Sequence, residues 1–228
     1  MKNFIPFILC LILNSCLSQT SVDYVLTNEE KIICIDNGLD TTIVKEIRKT
    51  VKSKIESFHY SKYKIHSDSG TKEVSPIRLD GIVFKTENHK SYDLIFSLKK
   101  EFNKLGYTIF MLECNFGFDG QKDVIAVLKT VNKLEILKSL ETDGINYDID
   151  SDSLLNIISD LDKKYELDLI GASGDYCEFI ITKEPKKWLD FAKEIYKFCP
   201  DIVDQGTETV EKLAEEMKIS KTLYLWWD

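Results

Sequence analysis

Residues 167–182, LDLIGASGDYCEFIIT, carry the clearest local fold signal in the chain. Two apolar runs, 167–172 and 176–182, flank the turn residues Ser173, Gly174 and Asp175. Short apolar runs separated by such turn residues predict a β-hairpin. We therefore expect two antiparallel strands at this point.

Helical patterns lie on both sides of the hairpin. Apolar residues recur at helical spacing from Leu154 to Leu161, behind Asp150, which suits a helix N-cap. Further helices are expected between Pro185 and residue 220, and a last strand at 222–227. From residue 123 the order is strand, helices, strand, strand, helices, strand, which predicts a ferredoxin-like split βαβ pattern. We expect an α+β fold, with an antiparallel or mixed sheet and helices on one face.

The N-terminal half is less regular. Residues 31–35 predict a short strand, and the polar residues 56–76 predict a loop or linker. We divide the chain into a signal peptide (1–15), a tether (16–30), an N-terminal α/β segment with linker (31–76) and an α+β domain (77–228).

The first sixteen residues resemble an export signal. Lys2 precedes an apolar run, 4–13, that is about half as long as the roughly 20 residues that a membrane-spanning helix needs. Leu13-Asn14-Ser15-Cys16 resembles a bacterial lipobox. This resemblance implies cleavage before Cys16 and acylation of the Cys16 thiol by a fatty acid such as palmitate. We expect a lipoprotein on the extracytoplasmic side of the cell membrane or outer membrane. The alternative is an ordinary secretory signal, with Cys16 incidental.

Charge and cysteine content limit the possible partners. The 228 residues carry a formal net charge of -8 with scattered lysines, which argues against nucleic-acid binding. Cys34, Cys114, Cys177 and Cys199 remain after processing. They form either two disulfides, in one of about three connectivities, or buried thiols. Thiols are favoured, because a chain of this length needs no disulfide for stability.

Polar residues cluster in two further places. Asp143, Asn146 and Asp148 can form a small oxygen-rich site, although capping of the next helix also explains this acidic segment. Asp148, Asp150 and Asp152 resemble the start of a calcium loop. Ser153 and Ser159, however, stand where such a loop needs Gly and an acidic residue, so we expect no metal and no cofactor. Asp201, Asp204 and Gln205 lie in a predicted inter-helix loop, where they either bind a ligand or make caps and turns.

The C-terminal strand ends in Trp226, Trp227 and Asp228. Alternation along a strand predicts that one Trp enters the core while the other lines a surface or groove. A Trp ring beside carboxylates can hold a sugar or a cation. The alternative is a packed last strand without a ligand.

Catalytic templates are absent from the sequence. It contains no G-x-S-x-G, no H-E-x-x-H and no phosphate-binding G-x-x-x-x-G-K motif. A carboxylate pair, such as Glu178 with Asp201 or Asp148, has the side chains for acid–base chemistry, but its spacing does not demand it.

Several C-terminal segments together resemble bacterial domain-of-unknown-function family 4253. They are TDGINYD at 142–148, IGA at 170–172, FAKEIYKFCPDIVDQG at 191–206 and LWWD at 225–228. The likeness covers about residues 107–228. The family implies no activity, so catalytic residues stay unknown.

Two hypotheses remain for the function. The first is a membrane-anchored binding module without catalysis, whose contact surface joins the 199–206 loop to the C-terminal strand. The second is a cell-envelope hydrolase that uses a carboxylate pair, with or without a metal; Glu178, Asp201 and Asp204 supply its acids.

The lipobox gives a direct prediction. Mass spectrometry of the mature protein should find an N-terminal Cys16 that carries acyl chains, and a Cys16→Ser variant should leave the membrane fraction. An unmodified thiol at Cys16, or an intact Met1, would contradict the lipid anchor.

Overall fold

A computed structural model describes residues 24–65, 72–115 and 120–228, with the side chains of 60–79 excepted. The signal segment, Cys16 and most of the tether lie outside the described residues, so the predictions for them stay predictions. No helix among the residues described is long and apolar enough to cross a bilayer.

Within these residues the chain forms seven strands and seven α-helices. The strands are β1 (Ile55–Ile65), β2 (Lys72–Thr86), β3 (Thr108–Glu113), β4 (Asp123–Leu128), β5 (Leu167–Ala172), β6 (Tyr176–Ile181) and β7 (Thr222–Trp226). The helices are α1 (Asn28–Asp36), α2 (Thr41–Arg48), α3 (Ser91–Lys104), α4 (Lys133–Ser139), α5 (Ser151–Tyr165), α6 (Trp188–Tyr196) and α7 (Val210–Ser220). Short 3-10 helices occupy Asn88–Lys90 and Ile145–Tyr147, and a π-helix occupies Ile202–Thr207. The α+β prediction is confirmed.

All seven strands belong to one sheet, in the order β1-β2-β4-β3-β5-β6-β7. β3 and β5 are parallel, with Met111 opposite Gly171, and the other neighbouring pairs are antiparallel. The mixed sheet is therefore confirmed. The split βαβ pattern is wrong, because the two helices α6 and α7 return the chain beside β6, where β7 pairs antiparallel.

The hairpin of β5 and β6 forms as expected. Leu167 pairs with Ile181 and Ala172 with Cys177, on either side of the 173–175 turn. A register shift between Leu169 and Gly171 makes a bulge in β5. The sequence of this segment thus determines both strands and their turn.

Both faces of the central strands are buried. Ile109 and Met111 of β3 pack into one core with α1, α2 and α3, while Phe110 and Leu112 pack into a second core with α4 to α7. The prediction of helices on one face is therefore wrong. Its physical cause is that β3 is apolar at every one of these positions, so neither of its faces can be left to water.

Two N-terminal segments also differ from expectation. Residues 31–35 lie in α1, because Thr27 and Glu30 form a capping box that starts a helix there. Residues 56–76 belong mostly to the β1–β2 hairpin instead of a loop. The predicted domain boundary at residue 77 falls inside β2, whose C-terminal part pairs with β4 in the same sheet.

Helix cover on the α3 side of the sheet reaches only as far as β5 and β6. The ammonium group of Lys99 in α3 donates to the carbonyl of Leu169 and pairs with Asp168 at 3.0 Å. The hydroxyl of Tyr92, also in α3, donates to Glu178 in β6. Beyond these contacts, Tyr224 on β7 is 37% exposed. This uncovered end of the sheet is where polar and aromatic side chains gather.

Replacement of a core phenylalanine should show that the second core stabilises the whole sheet. Phe110 is fully buried, so we expect Phe110→Ala to lower the free energy of unfolding by about 3–5 kcal/mol in urea denaturation. The matched control is Phe96→Ala in α3, which should cost less than about 1 kcal/mol because Phe96 is 49% exposed. Equal losses for the two variants would contradict this packing.

Candidate functional site

The acidic segment before α5 is built as a tight turn. Gly144 and Ile149 bond to each other across it, and Asp148 adopts a left-handed conformation with φ 57°. Asn146 and Asp148 are exposed, and a carboxylate oxygen of Asp143 accepts from the amide of Ile145 at 3.4 Å. Asp150 caps α5 through the amide of Ser153, as expected. Within the described residues, no group of three or more His, Cys, Asp or Glu side chains is placed to hold a metal.

Asp201 is a buried anchor for the C-terminus. Its Oδ1 accepts from the Tyr147 hydroxyl and from Gln205 Nε2 at 3.0 Å, and its Oδ2 accepts from the Asp228 amide at 2.9 Å. One carboxylate therefore joins the 145–147 turn, the π-helix and the chain end. Sequence reasoning selected Asp201, Gln205 and Asp228, and the structure brings them together.

The hydrogen bonds at Asp201 decide its charge. Burial by itself would raise the pKa of this carboxyl, but the bonds from Tyr147, the Asp228 amide and Gln205 outweigh burial and lower it. The bond to Asp201 in turn raises the pKa of Tyr147 to about 12. Asp201 is therefore a charged carboxylate whose two oxygens both accept hydrogen bonds, and the neutral Tyr147 is one of the donors.

The two tryptophans point to opposite sides, as strand alternation predicts. Trp227 is 3% exposed, and its indole nitrogen donates to the carbonyl of Phe198 at 2.9 Å. Gly144 lies against this ring, because an added Cβ there would come within 2.8 Å of it. Trp226 is half-buried and lines a surface cleft. The core role therefore falls to Trp227 and the surface role to Trp226.

Asp204 lies at the surface, unlike Asp201. It is exposed, and it accepts a hydrogen bond of 2.9 Å from the hydroxyl of Tyr196. That bond connects α6 to the π-helix at the surface. Asp204 therefore shares no side-chain partner with Asp201.

Glu178 is a buried acid of the opposite kind. It is 7% exposed, and its Oε2 accepts from Tyr92 at 2.7 Å. Burial raises the pKa of this carboxyl, and the single bond from Tyr92 offsets only part of that shift. Gly171 leaves room for the group, since an added Cβ would lie 3.2 Å from Oε2. Glu178 is therefore held where its charged form is poorly compensated.

Two open clefts meet at the uncovered end of the sheet. Glu178, Tyr224 and Trp226 line the first, of about 490 Å³, together with Gly206 and Thr207 of the π-helix. The second, of about 600 Å³, shares Tyr224 and Trp226 with the first. Its other lining residues are Leu112, Glu113, Cys114, Ser173, Asp175 and Tyr176.

Aromatic side chains surround Glu178 more closely than the sequence suggested. Tyr176 and Tyr224 stack with ring centres 5.8 Å apart, and the Tyr176 hydroxyl donates to the Met111 carbonyl at 2.7 Å. Tyr92 comes from a helix 86 residues away. None of the three was predicted from the sequence. Strand alternation places Tyr176 on the face of Glu178, two residues away in β6, whereas the position of Tyr224 depends on the pairing of β6 with β7.

The predicted residues thus fall into separate places. Glu178 and Trp226 share the first cleft, whereas Asp201, Gln205 and Asp228 form the anchor around Trp227. Asp143, Asn146 and Asp148 lie in the turn beside that anchor. The π-helix connects the two places, because it follows Asp201 and ends in the cleft wall at Gly206 and Thr207.

A comparison with known protein families finds a match in the C-terminal part of the chain. Residues 124–228 match the model of the family described as Domain of unknown function (DUF4253). The resemblance seen in the sequence is thereby confirmed, and the matched DUF4253 region begins within β4. It includes the Asp201 anchor, Glu178 and Trp226, whereas Tyr92 and Cys114 precede it. No curated protein and no solved structure was found to match the chain.

The four cysteines of the described residues form no disulfide with one another. Cys34, Cys177 and Cys199 are buried thiols, as favoured from the sequence. The Cys199 thiol donates to the Trp226 carbonyl, and burial raises its pKa to about 12. Cys114 is half-buried at the second cleft.

Replacement of the anchor acid should destabilise the protein in a pH-dependent way. In Asp201→Asn, the side-chain NH2 would face the backbone N–H of Asp228, so that two hydrogen-bond donors meet. We therefore expect a loss of about 1–3 kcal/mol in the free energy of unfolding. Because the folded pKa of Asp201 is lowered, the unfolded chain takes up its proton first as the pH falls. The difference in unfolding free energy between wild type and Asp201→Asn should therefore become smaller below about pH 4.

The control for this measurement is Asp204→Asn. Asp204 is exposed, so its replacement should change the stability by less than about 0.5 kcal/mol. A gap between wild type and Asp201→Asn that stays constant down to pH 2 would show that the charge of Asp201 contributes nothing.

Proposed function

We propose that this protein is an exported binding module, held on a membrane surface by a lipid on Cys16, whose ligand site is the pair of clefts at Tyr224 and Trp226. The observation that carries the site is the convergence of Glu178, Trp226 and the end of the π-helix on one cleft. This cleft joins the 199–206 segment to the C-terminal strand, which is the surface that the sequence favoured. The short apolar leader and the lipobox-like 13–16 support the anchor.

The shape of the site supports binding of a small ligand. Volumes of about 490 and 600 Å³ lie within the range of sites that hold small molecules. The walls combine aromatic rings with a few polar groups, and the buried Glu178 is fixed by Tyr92. Such a surface supplies contact area for a ligand and fixes the orientation of that ligand, and neither role requires catalysis.

The hydrolase alternative keeps one supporting observation. A buried Glu178 with a raised pKa has a property expected of a general acid. Its predicted partners, however, have other bonds: Asp201 accepts from three donors, and Asp204 accepts from Tyr196. We therefore favour binding without catalysis.

The experiment is a thermal-shift screen of the mature, detergent-solubilised protein against small polar compounds. We expect a hit whose affinity falls about tenfold in Trp226→Ala, through loss of the ring contact. The control is Trp188→Ala, since Trp188 is also half-buried against the second core but lies outside both clefts. A hit that both variants bind equally would place the ligand elsewhere, and turnover of a hit that is lost in Glu178→Gln would support the hydrolase.

A further inference from the structure

The charged side chains that line the two clefts are all acidic. Four carboxylates line them, Glu178 and Glu216 in the first and Glu113 and Asp175 in the second. Among the described residues, no lysine, arginine or histidine lines either cleft. The chain has 30 lysine and arginine residues, so basic side chains are common elsewhere on this protein. The local potential is therefore negative, and it attracts positively charged solutes.

Glu178 adds a specific reason for a cation. Only 7% of the residue is exposed, and one carboxylate oxygen accepts from Tyr92. The other oxygen accepts no hydrogen bond from a described residue, although Glu178 lines the first cleft. A buried carboxylate without an opposite charge is costly, and a positive group in the cleft would supply both charge and donor.

The aromatic walls suit the same kind of group. Tyr224 and Trp226 form the wall common to both clefts, and their ring faces attract cations. The groups that face Glu178 are Tyr92 from α3, Tyr176 from β6 and Tyr224 from β7, and Cys114 follows β3 nearby. The pKa values of the three tyrosines are raised, so these hydroxyls stay neutral and add no competing charge.

We infer that the clefts bind a small organic cation with more than one alkylammonium group, with one ammonium at Glu178 and another among Glu113 and Asp175. The inference rests on the proposed binding function and names its ligand class. An alkyl chain between the charges contacts Tyr224 and Trp226. A bare metal ion fits less well, because no cluster of metal-ligating side chains is present in the described residues.

The test measures binding of spermidine to the full mature chain by isothermal titration calorimetry at low salt. Loss of a charge-assisted bond predicts that Glu178→Gln weakens binding about tenfold or more. Glu216→Gln is a second variant, which is exposed on α7 and spares the fold, and it should weaken binding several-fold. The control is Glu101→Gln, an exposed acid on α3 outside both clefts, which should bind as wild type.

A pH series supplies an independent readout. Between about pH 5 and 7, where spermidine keeps its full positive charge, the affinity should rise as Glu178 loses its proton, and this dependence should diminish in Glu178→Gln. Equal binding by all variants would show diffuse attraction to an acidic surface and would overturn the inference. Tighter binding of a trilysine peptide than of spermidine would overturn it in favour of a protein partner.

Failure of this inference can be told from failure of the proposed function. 1,8-Octanediol, an uncharged chain, should not bind. If neither it nor spermidine binds, but a neutral sugar binds and Trp226→Ala removes that binding, the site stands and the cationic class is wrong. If no compound binds at the clefts, both proposals fall.

Discussion

The apolar character of strands β3 and β4 on both faces is the constraint from which the rest of the structure follows. Ile109 and Phe110 are adjacent in sequence and face opposite cores, and both are fully buried. Each face then requires its own helices, because the free energy of the fold comes mainly from burial of apolar surface. α1 to α3 cover one face, and α4 to α7 cover the other.

This cover is unequal, and the inequality produces the candidate site. The second core extends along β5, β6 and β7, whereas the first ends near β4 and β3. The strands β5 to β7 therefore have one face in the second core. Among the described residues, α3 approaches their other face from one side, and the π-helix and α7 border it at the first cleft. Polar and aromatic residues can occupy that face, which explains why Glu178, Tyr224 and Trp226 meet there.

Glu178 and Asp201 show how local bonding gives two buried carboxylates opposite properties. Both are almost inaccessible to water, at 7% and 3% exposure. Asp201 accepts three hydrogen bonds and its pKa is lowered, whereas Glu178 accepts one and its pKa is raised. A fully bonded acid contributes to the architecture, and a partly bonded one retains capacity to interact with a solute.

The sequence predicted local features better than long-range ones. The hairpin of β5 and β6, the cap at Asp150 and the opposite directions of Trp226 and Trp227 follow from residues close together in the chain. The bond from Tyr92 to Glu178 spans 86 residues, and no periodicity reveals such a contact. Residues 31–35 form a helix instead of the predicted strand, because Thr27 and Glu30 form a capping box in front of an apolar run that suits either structure.

Gly171 places a limit on how this protein can diverge. A methyl group at this position would press on Tyr176 at 3.1 Å and on the Glu178 carboxylate at 3.2 Å. The acid at 178 thus depends on a missing side chain in the neighbouring strand. A larger residue at position 171 would require the Tyr176 ring and the Glu178 side chain to shift by a few tenths of an ångström, so we expect substitutions at positions 171 and 178 to be correlated among descendants.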